Sequence, residues 1–525
     1  MTAGGALARA GLLVSGAFLA SRVLGYLRVT ITTAIFGAGP ELDAFFAAFR
    51  IPDLMFQLVA AGAMGSALVP IVAGLRATGE SDRGFRIGAT VANLVLLSLA
   101  ALAILFAILA PFIVPAITPG FDPATGQLAI DLTRIMLVSP VLLALGSVSA
   151  SLLNASGRFL SAAVAPIAYN AAIIVAALLF GRSGGVTALA IGVVAGSALH
   201  VLVQLPALWR ASFRPRLSVD VADPLARKVF WLMGPRAIGL ASVQLTFLVN
   251  TTLASSLGAG AITAYTVAFT LLQLPIGTIA QPLGIVALPT MSQAAATGSH
   301  DELRSLVVRS LRLLAFALLL VAGVGLVLRT EIVRLLFAYG RFDEVAVGAA
   351  AGALGVFLLG LPAHGLIAVL ARAFYADQDT RTPVVGAVIA VAINIVVSIL
   401  TAPVLGIRGL ALGIALGAWV EATFLLFRLA RKLPGLEPPR ELLAWLKSGV
   451  LAAGGAAVCW LALSGLHAWL GDPFTSKPIV AIASVVAGGL AAGAYIGAAM
   501  ILGQPEPATI RRLLAGALRR RQQPA

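Results

Sequence analysis

The chain has 525 residues, 60% hydrophobic and 11% charged, with a mean hydropathy of +1.01 and a formal net charge of +15. So little charge over that length excludes a soluble multidomain protein, and apolar segments recurring from residue 9 to residue 503 exceed the roughly 20 residues that cross a bilayer core. A single cysteine, Cys459, excludes an internal disulfide and a multi-cysteine metal site, and His200, His300, His364 and His467 show no ligand spacing.

Hydropathy and its interruptions predict an all-α polytopic membrane protein with fourteen helices, near 9–36, 42–75, 85–117, 125–153, 159–180, 185–211, 225–257, 261–295, 303–328, 345–376, 382–403, 407–431, 441–470 and 478–503. The first apolar segment, Ala10 to Phe36, is too long for a signal-peptide core. It also lacks a small-x-small cleavage site followed by a polar mature region, so it reads as a transmembrane helix. With the N-terminus inside, 25 lysines and arginines fall on cytoplasmic segments and 6 on the opposite side. That asymmetry places both termini in the cytoplasm. The basic excess is thus a topology signal, and nucleic acid is not needed to explain it.

The chain repeats itself. GVTALAIGVVAG (Gly185–Gly196) matches GIRGLALGIALG (Gly406–Gly417) at an offset of 221 residues, and GAGPELDAFFAAF (Gly37–Phe49) is echoed by GAGAITAYTVAF (Gly258–Phe269). Each repeat holds six helices, an even number, so both enter the membrane with the same orientation and a substrate site is expected between them. The expected organisation is one six-helix bundle over 1–216, a second over 217–432, two extra helices over 433–503, and a basic amphipathic cytoplasmic tail over 504–525. In that tail Ile510, Leu513, Leu514 and Leu518 oppose five arginines, a pattern suited to the anionic inner leaflet.

Charges inside apolar helices mark candidate sites, because each costs about 2.5–3.5 kcal/mol at bilayer depth unless it faces a cavity or a partner. Helix 1 carries Arg22 and Arg28, six apart, with Gly25 between them as a place to bend. Helix 2 carries Asp43 and Arg50 on one face, seven apart, with Asp53 three beyond Arg50 and a kink signal at Pro52. Arg134 on helix 4 and Arg236 on helix 7 are further candidates; Arg236 follows Pro235 near a cytoplasmic end, where its side chain can snorkel. Glu421 on helix 12 has no evident partner in the sequence. These charges read either as salt bridges joining helices 1 and 2 or as a basic, water-filled cavity. In the second reading the arginine surplus favours a phosphate-bearing anion, since a guanidinium fork holds phosphate oxygens with two parallel hydrogen bonds. No P-loop, GxSxG or HExxH motif is present, so the chain is not expected to be an enzyme, and any energy would come from gradients or substrate consumption.

SRVLGYLR, IFGAGPELDAFFAAFRIPDL and GAMGSALVP, with LLNASGRF (Leu152–Phe159), QLPIG (Gln273–Gly277), EIVRLLFAYGRFD (Glu331–Asp343) and GLPAHGLIAVLARAFYADQDTRTPV (Gly360–Val384), resemble the MurJ (MviN) family of lipid II flippases over nearly the whole chain. The resemblance implies the exporter superfamily fold, two six-helix bundles around a central cavity, with two C-terminal helices forming a groove for a lipid tail. It implies that Arg22, Arg28 and Asp43 occupy charged cavity positions. Typical members carry charges where this chain has Phe56, Gln57, Ala61, Phe269 and Thr270. Arg50 and Arg236 are the candidates to compensate.

The expectation is a flippase that moves undecaprenyl-diphosphate-linked peptidoglycan precursor across the bacterial inner membrane by alternating access. Arg22, Arg28 and Arg50 would hold the diphosphate, with Asp43, Asp53, Arg134 and Arg236 lining or gating the cavity. No cofactor is expected, coupling would be to the membrane potential or an ion gradient, and partners would be the lipid-linked precursor, membrane lipids and the cell-wall synthesis machinery. The competing readings are a flippase for another polyprenyl-linked saccharide, a small-molecule antiporter of the same superfold, and a non-transporting scaffold.

Overall fold

The computed structural model describes residues 3–58, 63–214, 219–220, 222–470 and 476–512, leaving aside the side chains at 3–12, 15, 63, 64, 66, 230, 232–243, 469 and 470. The described residues are helical with short turns between helices and contain no strand. Among the described residues, eleven helices are long and apolar enough to cross a membrane. One of these, 159–210, holds two of the expected spans, because Gly185 interrupts it with φ 59° and ψ −155°.

The chain forms two compact units. The first comprises Met1–Thr263 with Tyr339–Asp343. It contains α1 (Ala3–Phe36), α2 (Pro40–Ala48), α3 (Arg50–Phe56), α4 (Ala63–Ala77), α5 (Ser81–Ile117), α6 (Pro123–Met136), α7 (Val138–Ala155), α8 (Phe159–Leu202), α9 (Leu205–Arg210) and α10 (Pro224–Ser255). Leu42, Leu68, Leu99, Leu132 and Leu189 are fully buried in its core. Helix α1 lies along α8 and runs unbroken from Ala3, so Gly25 is no bend. Instead Gly25 faces the Asn170 amide, from which a Cβ would stand 3.9 Å.

The expected helix 42–75 is divided: Phe49 separates α2 from α3, and the backbone widens to a π-helical turn at Gln57 and Leu58. The repeat-based boundary at 216/217 and the limit of the first unit also differ. Helix α10, which opens the second repeat, packs on α3, α4 and α5 and so belongs to the first unit.

The second unit comprises Ala264–Ala338 with Glu344–Ala525. Its helices are α11 (Ala261–Pro275, all but its first turn), α12 (Gln281–Ala296) after a π-helical turn at Ile276–Ala280, α13 (His300–Val327), α14 (Arg329–Phe337), α15 (Glu344–Ala376), α16 (Arg381–Leu405), α17 (Ile407–Ala430), α18 (Pro438–Leu470) and α19 (Lys477–Ile501). Helix α15 is its central member, with Phe357, Leu361, Leu366 and Phe374 fully buried. The two extra helices pair with each other and pack α18 on α13. Arg312 donates to both carboxylate oxygens of Glu441 at 2.8 and 2.9 Å, and the Tyr495 hydroxyl donates to the Phe316 carbonyl at 2.9 Å. Of the expected tail, 506–512 is helical, with Ile510 against the Phe316–Tyr495 cluster and Arg511 and Arg512 exposed; the remainder lies outside the described residues.

The repeat is written in the backbone as well as in the sequence. Gly185 and Gly406, 221 residues apart, share φ values of 59° and 60°, and positive φ recurs at Gly79 and Gly298, and at Gly157 and Gln378. The first unit also contains a reciprocal pair of close approaches. Gly340, in the short stretch 339–343, lies against the Ala34 carbonyl at the end of α1, where Arg341 N–H donates to that oxygen at 2.8 Å. Gly120 lies in the same way against the Ser255 carbonyl at the end of α10. Ala34 and Ser255, separated by the repeat offset, thus each meet a glycine contributed by the other repeat.

Candidate functional site

Helix α1 presents Arg22 on an exposed face and turns Arg28 into a half-buried position, because six residues on a helix leave two side chains pointing in different directions. The Arg28 guanidinium lies 5.9 Å from the centre of the Tyr169 ring on α8, an arrangement that stabilises a cation without neutralising it. Arg28 and Asp53 are both within electrostatic reach of the Tyr169 phenol.

From α3, Arg50 donates through Nε to the Thr251 hydroxyl of α10 at 2.9 Å, and its guanidinium stands 5.4 Å from the Phe247 ring centre. One turn on, Asp53 accepts from the Gln244 side-chain amide at 2.9 Å. Arg50, Asp53, Leu54, Gln244, Phe247 and Leu248 line a small cavity of about 10 Å³ within the first unit, room for about one water in this conformation. Gln244 and Thr251 are seven residues apart, a spacing that puts both on one face of α10. The result is a polar seam in which Arg28, Tyr169, Asp53, Gln244, Arg50 and Thr251 succeed one another through an apolar bundle.

Asp43 has a different role from the one its sequence position suggests. It is 1% exposed and accepts three hydrogen bonds: from Gly260 N–H at 2.7 Å, Thr263 N–H at 2.8 Å and the Thr263 hydroxyl at 2.6 Å. Gly260 precedes the first residue of α11 and has no side chain to satisfy the free N–H groups of the first turn, so Asp43 supplies the acceptor from α2. In this conformation it anchors a helix start rather than lining the cavity above.

Arg134 stands apart from the seam. It lies on an exposed face of α6, 3.8 Å from Asp131, and donates to the Ala107 carbonyl of α5 at 3.2 Å. The Arg236 side chain and Ala61 lie outside the described residues. Where relatives of the expected family carry charge, Phe269 stacks on Tyr265 at 6.3 Å and meets Phe357 edge-on at 5.8 Å, and Thr270 donates to the Thr266 carbonyl at 2.8 Å. An aromatic cluster therefore fills that place. Phe56 and Gln57 sit partly buried at the π-helical turn that ends α3.

Sequence reasoning had not singled out Tyr169, Gln244, Phe247, Thr251, Gly260 or Thr263. The one signal that could have found part of this set is the run of polar residues Gln244, Asn250 and Thr251 within an otherwise apolar α10.

The family model for the lipid II flippase MurJ matches residues 32–480. A lipid II flippase MurJ of Burkholderia cenocepacia is 33% identical over 88% of this chain and 90% of its own length. A probable lipid II flippase MurJ of Rhizobium meliloti is 33% identical over 95% of this chain and 94% of its own. Among solved structures, a lipid II flippase MurJ in an inward closed conformation superimposes with a TM-score of 0.76 at 22% identity, covering 93% of this chain and 100% of that one. An inward-facing multidrug resistance transporter of the MATE family gives 0.65 at 17% identity, over 79% of this chain and 95% of that one. Both likenesses are of fold.

Proposed function

The chain belongs to the lipid II flippase MurJ family, and we infer that it moves undecaprenyl-diphosphate-linked peptidoglycan precursor from the inner to the outer leaflet of the bacterial cytoplasmic membrane. The observation that carries this reading is the seam in the first unit. There Arg28 rests on an aromatic ring and Arg50 on a hydroxyl and an aromatic ring, and guanidinium groups are suited to diphosphate oxygens. Arg22, one and a half turns before Arg28 on α1, adds a third cation. This arrangement disfavours a cation antiporter, for which carboxylates would dominate the cavity.

Alternating access would carry the headgroup across while α18 and α19 guide the isoprenoid tail, with both termini cytoplasmic and cell-wall synthesis enzymes consuming the delivered precursor. The membrane potential is the proposed driving force. With the inside negative, outward movement of an anion is favoured by about 2.3 kcal/mol per net charge per 100 mV, and the same field favours inward return of an emptied, positively charged site.

The test is complementation in a bacterium depleted of its own lipid II flippase, with Arg22→Ala and Arg28→Ala tested beside the unaltered chain. Rescue by the unaltered chain and loss in the variants is the expected result. Failure of a well-expressed, membrane-inserted chain to rescue would shift the assignment to another polyprenyl-linked saccharide. Equal rescue by all three would support a scaffold that transports nothing through these arginines.

A further inference from the structure

Helices α16 and α17 run antiparallel in close contact, and the residues on α17 that allow it recur every fourth position. A Cβ on Gly409 would stand 2.6 Å from the Thr401 carbonyl carbon, one on Gly413 2.8 Å from the Asn394 carbonyl oxygen, and one on Gly417 2.7 Å from the Ala390 carbonyl oxygen. The next position in this ladder is Glu421. Opposite it stands Gly386, whose Cβ would lie 3.4 Å from the Glu421 Cγ, with Leu425 and Phe424 at the same distance. A glycine therefore makes room for a carboxyl in an otherwise apolar helix interface. At 1.5 Å per residue, Glu421 is about 21 Å from the start of α17 and about 14 Å from its end, well inside a spanning segment.

Among the described residues Glu421 makes no hydrogen bond or ion pair. The groups that could have neutralised it are engaged or directed elsewhere. On α17 itself, Arg408 lies against Gly352 and Arg428 is exposed. Helix α16 carries only Arg381, exposed at its first residue. From α15, Glu344 pairs with Arg334, Arg372 donates to Gln281, Tyr375 is exposed, and the buried His364 Nε2 has no hydrogen-bond partner. From α18, Glu441 is held by Arg312, Arg440 and Lys447 are exposed, and Cys459 and His467 belong to its far half.

The repeat supplies an independent observation. The offset that aligns Gly185–Gly196 with Gly406–Gly417 aligns His200 with Glu421. His200 also lies against a glycine, Gly146, and its buried Nδ1 has no hydrogen-bond partner. Both repeats thus place one ionisable group at the equivalent position, each beside a glycine of a neighbouring helix, although Gly146 on α7 and Gly386 on α16 are not themselves equivalent.

The geometry points to Glu421 as a proton-binding site within the membrane, whose occupancy sets the rate of transport. A proton requires only one carboxyl oxygen, which Glu421 supplies by itself. Glu421 is partly buried with its stem against Gly386, and its carboxyl exchanges a proton with water when a conformational change alternates its surroundings between apolar and wet. The proton enters from water on one side onto a carboxylate oxygen and leaves to water on the other, with no other bond made or broken.

Two measurements on the full-length protein test this, and only the second rests on the flippase reading. In the first, protein in lipid nanodiscs is titrated from about pH 5 to about pH 9 and followed by infrared difference spectroscopy. The expected result is a carboxylic-acid C=O component that titrates in the unaltered chain and in Glu421→Asp and is missing from Glu421→Gln, while the bands of the other carboxyls, Asp43 among them, are unchanged. Identical titrations in the unaltered chain and Glu421→Gln would overturn the proposal. In the second, flipping in proteoliposomes under an imposed pH gradient should change several-fold for the unaltered chain and not at all for Glu421→Gln. The same gradient response in both would overturn it equally. An unaltered chain that flips nothing at any pH would sink the flippase reading, and the infrared band would still decide whether Glu421 binds a proton.

Discussion

Replacing Asp43 by alanine should loosen the start of α11 by an amount that follows from its bonds. The substitution leaves Gly260 N–H, Thr263 N–H and the Thr263 hydroxyl without their acceptor in a site closed to water. A buried donor left unsatisfied costs about 1–3 kcal/mol, and losing a helix N-terminal acceptor costs about 0.5–2 kcal/mol. Relaxation recovers part of the total, which leaves about 3 kcal/mol. At 1.4 kcal/mol per tenfold, that is an increase of about 100-fold in local opening. Hydrogen–deuterium exchange of peptides spanning residues 258–266 in the detergent-solubilised protein reads it directly. Thr263→Val, which removes only the hydroxyl, should raise exchange by about tenfold, as expected for one net hydrogen bond. Asp43→Asn should fall between the two, because its amide nitrogen cannot accept from the donor it faces. Unchanged exchange in Asp43→Ala would refute the reasoning, since it would mean that water or another acceptor satisfies those donors.

The Arg312–Glu441 pair, with the Glu441 side chain only 4% exposed, should cost about 3–5 kcal/mol when one partner alone is removed, and much less when Arg312→Met and Glu441→Leu are combined. Thermal unfolding in detergent, with the tail end of α18 followed by a site-specific fluorophore, would check this. Gly37→Ala should destabilise the 339–343 contact by about 1–2 kcal/mol, because φ is +74° and the added Cβ would stand 2.8 Å from the Arg341 carbonyl oxygen; amide exchange at Arg341 is the readout. For Asp379, burial pushes its pKa up. The opposing Thr382 N–H at 3.0 Å, Lys432 ammonium at 2.9 Å and Thr382 hydroxyl at 2.7 Å outweigh that and hold it well below its ordinary 3.8. A depressed carboxyl pKa stabilises the fold above the unfolded value and loses that contribution as pH falls below it. The protein should therefore lose stability on acidification below about pH 4, and Asp379→Asn should flatten that part of the pH–melting curve.

Much of the fold was legible because membrane helices announce themselves by hydropathy and the repeat by its glycines. Gly185 and Gly406 stood out as matching letters, and both adopt positive φ for the same turn. The division of the second helix at Phe49 and its π-helical turn was not legible, since Pro52 signals a kink without saying which peptide absorbs it. Nor was the membership of α10 in the first unit. Its hydropathy says that it is a helix, whereas its allegiance rests on Gln244 and Thr251 meeting Asp53 and Arg50, partners about 200 residues away. At the candidate site, sequence marked the charges and misjudged their company. Asp43 looked like a cavity charge because its acceptor role depends on Gly260 and Thr263. Gly260 and Thr263 lie in GAGAIT, the sequence echo of the GAGPEL that opens Asp43's own helix.

The reciprocal docking of Gly340 on Ala34 and Gly120 on Ser255 sets a timetable for biogenesis. The end of α1 leaves the ribosome about 300 residues before the stretch 339–343 that closes over it. At about 5–20 residues per second, α1 waits roughly 15–60 s for that partner, through the insertion of every helix between them. During this interval the Ala34 carbonyl has neither Arg341 N–H nor a covering glycine. The first unit is therefore finished by a segment of the second repeat, and a chain truncated before residue 339 should persist as an unclosed nascent form held by the insertion machinery.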